Sequence, residues 1–299
     1  MKQPLVSVRV VTYNHEKYIQ QCLEGILMQR TDFPFEIVIG EDCSTDHTRE
    51  IVFDYEKRFP EIIRVITSEK NVGGMQNIIR VHQACSGKYL AQCEGDDYWI
   101  DPLKLQKQVG YLEAHPECSL CFHDALVIQT DKNGLPGYFC PPDLPEMITI
   151  EHVLARPPFI QLATILARSQ VLASLPKWRS NLMSGDVLLR LWCAHHGNLG
   201  YINEIMSVYR HHTTSLTTTV LQDLDRRYQE KRYLLLEFDK ETNFQYTELI
   251  QKAVDRAYDD CRGDKRISKL GLFYYVLRPD RAFRKVKKYV DILGLSRKW

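Results

Sequence analysis

Tyr89-Leu90-Ala91-Gln92-Cys93-Glu94-Gly95-Asp96-Asp97-Tyr98-Trp99 decides the fold. Tyr89 to Gln92 reads as a strand, and three carboxylates follow it within four residues. Like charges this close repel, so a fold tolerates them mainly where a cation or hydrogen-bond donors compensate. A divalent ion is the economical compensation. Mg²⁺ or Mn²⁺ takes one or two carboxylates and fills its shell with water and diphosphate oxygens, so the stretch suggests a nucleotide diphosphate. A solvated acidic turn is the competing reading.

Upstream, three more β-like runs alternate with amphipathic stretches. Val6 to Val11, Phe35 to Gly40 and Ile62 to Thr67 read as strands, while Tyr18 to Met28, Thr48 to Phe59 and Met75 to Ala84 carry helical spacing. Strand then helix, repeated, predicts a parallel sheet with helices on both faces. Ligands of such sheets lie at the carboxyl ends of the strands. Those ends carry Thr12-Tyr13-Asn14, Glu41 to Asp46, Asn71-Val72-Gly73-Gly74 and Glu94 to Asp97. Four polar ends together exceed what helix capping explains.

Downstream of Cys118 the pattern loosens, with Ser119 to Gln129 and Gln161 to Ala167 as strands and the Pro-rich Pro136 to Pro145 as an ordered loop. Beyond Thr219 the chain becomes helical and charged, over Leu221 to Lys240 and Tyr246 to Arg262. The expected organisation is a catalytic domain, 1–219, with a nucleotide-binding half (1–110) and an acceptor half (111–219), then a helical extension, 220–299.

Composition narrows the partners. The 299 residues are 44% hydrophobic and 26% charged, as in globular chains, and 39 basic against 38 acidic residues leave a net charge of +1. No overall field draws in nucleic acid. No apolar run approaches the roughly 20 residues of a membrane span, and the opening residues lack an export signal. Nine scattered cysteines read as small buried residues of a reducing compartment. A cytoplasmic protein, soluble or peripheral on a membrane, is expected. Cys118-x-x-Cys121 lacks a second ligand pair and reads as core strand. Phosphate loops of the G-x-G-x-x-G and Walker types are missing, which argues against a dinucleotide oxidoreductase and a P-loop NTPase. From Arg278 to Trp299, eight Lys or Arg stand against two Asp, with Phe283, Val286, Val290 and Leu293 on one helical face. Such a helix suits an anionic membrane surface or packs on the body.

The motifs VVTYNHEKYI from Val10, EDCSTDHT from Glu41, NVGGMQN from Asn71 and EGDDYWIDPLKLQKQ from Glu94 resemble the inverting family 2 glycosyltransferases of GT-A fold. The resemblance spans roughly residues 5 to 218. It implies an α/β GT-A-like fold: a mostly parallel twisted sheet flanked by helices, with the C-terminal helices added. It also implies a metal-dependent enzyme that moves a sugar from a nucleotide-diphosphate donor, with UDP the expected nucleotide, to a hydroxyl of a glycan or lipid-linked saccharide.

By that resemblance Thr12, Tyr13 and Asn14 line the base pocket, and Asp42 accepts from the base. Asn71, Gly73 and Gly74 form the loop over the nucleoside. Asp96 meets the ribose, Glu94 lies on the donor side, and Asp97 with His212 holds Mn²⁺ or Mg²⁺. Arg210 adds positive charge near the pyrophosphate. Asp186, in Ser184-Gly185-Asp186, matches the family's general base, where a helix-capping role is the alternative. Two rival functions are a non-catalytic sugar- or nucleotide-binding module and a sugar-1-phosphate nucleotidylyltransferase. Against the latter, no Gly-rich triphosphate loop follows the first strand.

Overall fold

Strands of a parallel sheet covered on both faces are built largely from apolar residues, and the first half of the chain supplies them, with Ser7, Arg9 and Gln92 as buried polar members. The computed structural model describes residues 3–130, 136–156, 159–212 and 223–262. In its first half, β1 (Val6–Thr12), α1 (Ile19–Leu27), β2 (Phe35–Glu41), α2 (Thr48–Arg58), β3 (Ile63–Ile66), α3 (Gly74–Ala84) and β4 (Tyr89–Glu94) alternate as the spacing predicts. Val6, Val8, Val10, Ile37 and Ile39 are fully buried, and burying such a side chain stabilises by about 1.5–3 kcal/mol.

The second half comprises β5 (Tyr98–Trp99), α4 (Lys104–Ala114), β6 (Cys118–Gln129), β7 (Gly137–Tyr138), β8 (Met147–Ile148), α5 (Ile150–Ala155), β9 (Leu166–Arg168), α6 (Ser169–Ala173), α7 (Asp186–His196) and β10 (Asn198–His211). Two helices follow, α8 (Leu224–Glu241) and α9 (Thr247–Arg262). One sheet joins both halves in the order β3-β2-β1-β4-β9-β6-β10-β5, with β7 on β6 and β8 on β10. β3, β2, β1 and β4 run parallel, β9 is antiparallel to both β4 and β6, and β10 is parallel to β6.

Register places the site. Thr12 pairs with Glu41 and Val11 with Glu94, so three strands end at one level. α1 fixes the acid turn from below: a Cβ on Gly25 would lie 2.7 Å from the Trp99 carbonyl oxygen. Trp99 is itself buried, and its indole N–H donates to the Ala163 carbonyl at 2.9 Å. Gly95 has the same steric logic, because a Cβ there would stand 2.7 Å from Thr12 Oγ1 and 2.8 Å from His15 Nδ1. The glycine lets the turn close on the end of β1.

The second half departs from its reading in two places. Gln161 to Ala167 is not one strand: a 3₁₀ turn, Leu162–Thr164, precedes the three-residue β9. Gln161 causes the break, since its side chain accepts from Ala163 N at 2.6 Å and turns the chain. The Pro-rich segment contains β7, paired with β6. Cys118 and Cys121 are buried in β6, as core-strand residues. Leu234, Leu235 and Phe238 of α8 and Ile250, Ala253 and Val254 of α9 join the hydrophobic cluster that contains Leu188 and Leu191 of α7. The expected boundary at 219/220 and the tail from 278 to 299 lie outside the described residues. Among the described residues, no helix is long and apolar enough to cross a membrane.

Candidate active site

Each strand end contributes differently. After β2, Asp42 is 2% exposed, and its two oxygens accept from Val72 N at 2.8 Å and Gly73 N at 3.0 Å. Arg80 Nη2 lies 3.8 Å away. The carboxylate therefore shapes the glycine loop. Asn71, exposed, accepts from Gly73 N at 3.0 Å through Oδ1. Gly73 has φ +87°, and among the described residues nothing beyond the adjoining chain lies within 4 Å of a Cβ built on Gly73 or Gly74, leaving room for a ligand against the backbone. Glu41 is structural: it accepts from Ser44 N at 2.6 Å and pairs with Arg49 at 2.7 Å, joining the turn to α2.

At the end of β1, Tyr13 is 42% exposed. Thr12 is buried, with Oγ1 3.2 Å from His15 Nδ1. Asn14 adopts φ +55°, donates its N–H to Ser44 Oγ at 3.1 Å, and accepts from Thr45 N at 2.8 Å. It clamps two strand-end loops together.

The acid turn divides its labour between neighbours. Asp97 is fully buried: Oδ1 accepts from Arg210 N at 2.9 Å and Oδ2 from Gln161 Nε2 at 2.5 Å. Burial, with the adjacent charges of Asp96 and Glu94, pushes its carboxyl well above the usual range. Asp96 keeps an open edge. Its Oδ2 lies 3.0 Å from His212 Nε2 and 3.8 Å from His15 Nε2. Burial works against ionisation of Asp96, but the hydrogen bond from His212 and the neighbouring histidines hold its carboxyl below the ordinary value. Glu94 is raised well above its ordinary value by burial, then by the charges of Asp186 and Asp96. Glu94, Asp96 and Asp97 each offer an oxygen within 4.8 Å of the others. Carboxylate oxygens beside an imidazole form a donor set that fits Mg²⁺ or Mn²⁺.

Arg210, 4% exposed, donates to the Asp96 carbonyl at 2.6 Å and to Gln21, and its guanidinium lies 4.2 Å from the centre of the Tyr98 ring. Its positive charge is thereby fixed against the acid turn. Asp186 opens α7, with Ser184 Oγ 3.4 Å from its backbone N–H. A Cβ on the preceding Gly185 would lie 3.1 Å from Met75 Cε, so α7 begins against the start of α3, next to the glycine loop. Asp186 raises the Glu94 carboxyl and sits in the fields of Arg9 and Arg190. The structure thus brings Asp186 and the strand-end acids into one electrostatic neighbourhood.

His15, Gln161 and the Arg9–Gln92 pair are additions to the sequence reading. His15 sits three residues beyond Thr12, at a strand end, where its position was a legible signal. Gln161 lies 64 residues from Asp97 and carried none.

A twisted sheet of this order, with acids gathered at the ends of its parallel strands, defines the GT-A class of nucleotide-diphospho-sugar transferase folds. Residues 7–137 match the model for Glycosyl transferase family 2, and the chain is similar to members of that family. An uncharacterized protein of Mycobacterium tuberculosis is 39% identical over 227 residues, 76% of this chain and 64% of that protein. The chain thus spans about two thirds of that relative's length. The putative teichuronic acid biosynthesis glycosyltransferase TuaG of Bacillus subtilis is 29% identical over 70% of this chain and 79% of its own. Among solved structures, S. aureus TarS 1-349 in complex with UDP-GlcNAc superposes with a TM-score of 0.65 at 18% identity, over 90% of this chain and 79% of that one. The mannosyltransferase PcManGT of Pyrobaculum calidifontis, in complex with GDP-Man and Mn²⁺, gives 0.58 at 14%, over 100% and 88%. Both share the fold.

Proposed function

We propose that the protein is a metal-dependent inverting glycosyltransferase, moving a sugar from a nucleotide-diphosphate donor to a hydroxyl of a glycan or lipid-linked saccharide. The supporting observation is the position of Glu94, which lies in the fields of both Asp96 and Asp186 and so ties the nucleotide-side acids to an acid on a separate helix. TarS with UDP-GlcNAc favours UDP as the nucleotide, and PcManGT with GDP-Man keeps GDP as the second candidate.

In this reading Tyr13 stacks on the base, the loop Asn71–Gly74 covers the nucleoside, and Asp42 gives that loop its shape. Asp96 and His212 hold Mn²⁺ or Mg²⁺ at the open edge of the acid turn. This exchanges the expected roles of the two aspartates, because both oxygens of Asp97 are already taken by Arg210 N and Gln161. Asp97 backs the site by fixing β10, which carries Arg210 and leads to His212. A bound divalent ion would supply positive charge against the departing diphosphate. Asp186 accepts the proton of the attacking hydroxyl from the opposite side of the sugar.

The test is to incubate the protein with a panel of nucleotide sugars, with and without Mn²⁺, and measure free nucleoside diphosphate. Metal-dependent release that vanishes in Asp186→Asn supports the proposal. Nucleotide binding without release would instead support the non-catalytic binding module.

A further inference from the structure

A cavity lies where α5, α7, α8 and α9 meet, with Arg156, Arg190, Lys231 and Arg256 on its wall and, among the described residues, no carboxylate lining it. Arg156 is paired with Asp143 at 3.1 Å. Arg190, Lys231 and Arg256 form no ion pair among the described residues. Arg190 is 7% exposed and donates to the Ile160 carbonyl, while Arg256 donates to the Leu154 carbonyl at 2.9 Å. Burial lowers the Lys231 ammonium from its ordinary value; Asp260 opposes this, and Arg227 and Arg256 reinforce it. Asp186 and Glu94 act on Arg190 and Asp260 on Lys231, but none of these acids lines the cavity; cations drawn out of water remain costly there, and an entering anion relieves that cost through charge-assisted hydrogen bonds. Leu154, Phe159 and Leu235 supply an apolar wall beside the charges, which suits a ligand whose anionic group is borne on a carbon skeleton.

Position gives the cavity its meaning. Arg190 is four residues from Asp186 on α7, about 6 Å along the helix axis. We infer that the cavity is a phosphate site of the acceptor, holding a phosphate group on an apolar skeleton so that a nearby hydroxyl reaches Asp186. The inference rests on the reading of Asp186 as the proton acceptor. Arg190, Lys231 and Arg256 act as positioning residues, fixing the substrate's charge one helical turn from the chemistry.

The test uses the full chain and calorimetry with decyl phosphate, decanol and inorganic phosphate. Decyl phosphate is expected to bind saturably, at least tenfold more tightly than either comparison compound. Lys231→Met and Arg256→Gln should each weaken it about tenfold, while Mn²⁺-dependent nucleotide binding stays unchanged and Lys252→Met, on an exposed face, has no effect. Unaltered binding in both cavity variants, or no binding to the wild type, overturns the site. Equal affinity for inorganic phosphate makes it a free-anion site and overturns the acceptor assignment. Should decyl phosphate bind as expected while no nucleotide sugar is turned over, the transferase reading fails and the anion site stands.

Discussion

The two halves of the sheet handle polar groups in opposite ways. In β1 to β4 most charge is at the strand ends, where backbone N–H groups and arginines receive it; Arg9, bonded to Gln92, and Arg64 in β3 are the exceptions. In the other half, polar side chains are buried within the strands. His123 and Asp124 sit in β6, and Asp124 Oδ1 gathers the N–H groups of Ala125, Phe139 and Cys140 at 2.8, 3.2 and 2.9 Å. Asp124 lies where β10 slips register against β6, on both sides of Ile205, and its carboxylate ties β6 to the segment after β7. A regular sheet concentrates its chemistry at one rim, whereas an irregular one needs internal polar pins.

If the rim is the reactive part, Asp186→Asn should produce the largest change: transfer lower by a thousandfold or more, with donor affinity within about threefold by calorimetry. Near-normal turnover would dissolve the distinction. Asp97→Ala tests the pin. It strands the Arg210 N–H and the Gln161 amide in a buried place, at about 1–3 kcal/mol each, so urea unfolding should show a loss of roughly 2–6 kcal/mol. Asp96→Ala, by contrast, should leave the urea midpoint nearly unchanged and weaken Mn²⁺-dependent nucleotide binding more than tenfold. The opposite pattern would return the metal to Asp97. Tyr13→Ala should weaken nucleotide binding about tenfold through lost stacking, with no change in thermal stability.

The smallest effect concerns pH. Burial lifts the Asp124 carboxyl to about 6, although its three backbone donors pull the other way. The unfolded chain titrates near 4, so between about pH 4 and 6 the native state binds more protons, and stability falls as pH rises through that window. Asn at 124 keeps the accepting oxygen without the titration. The stability of Asp124→Asn relative to wild type should therefore rise by roughly 1–3 kcal/mol from pH 4 to above pH 6. A flat difference would show that Asp124 is not the pin described.

The same contrast explains what could be read from the chain. β1, β2 and β4 announce themselves because both faces are largely buried, so apolar residues dominate them despite Ser7, Arg9 and Gln92, and the shorter β3 follows the same spacing. β10 escaped notice because Asn203-Glu204 breaks its pattern at the register slip, and α4 because Lys104 and Gln108 are polar residues on its buried side. Lys104 lies inside through local chemistry: its ammonium sits 4.0 Å from the centre of the Trp99 ring and donates to Gln108 at 2.7 Å. In the site, the strand-end acids were visible as motifs. The division between Asp96 and Asp97 was not, because it depends on Gln161 and Arg210, brought in from distant parts of the chain.

The contact of Gly95 with Thr12 and His15 restricts how this rim can diverge. Any descendant that places a methyl group or more at position 95 must at the same time trim the threonine or retract the imidazole, since both lie within 3 Å of where a Cβ would stand while the first and fourth strands stay in register. Substitutions at 12, 15 and 95 should therefore occur as compensated sets, and a lone alanine at 95 would push the carboxylates of the acid turn outward before it unsettled the remainder of the sheet.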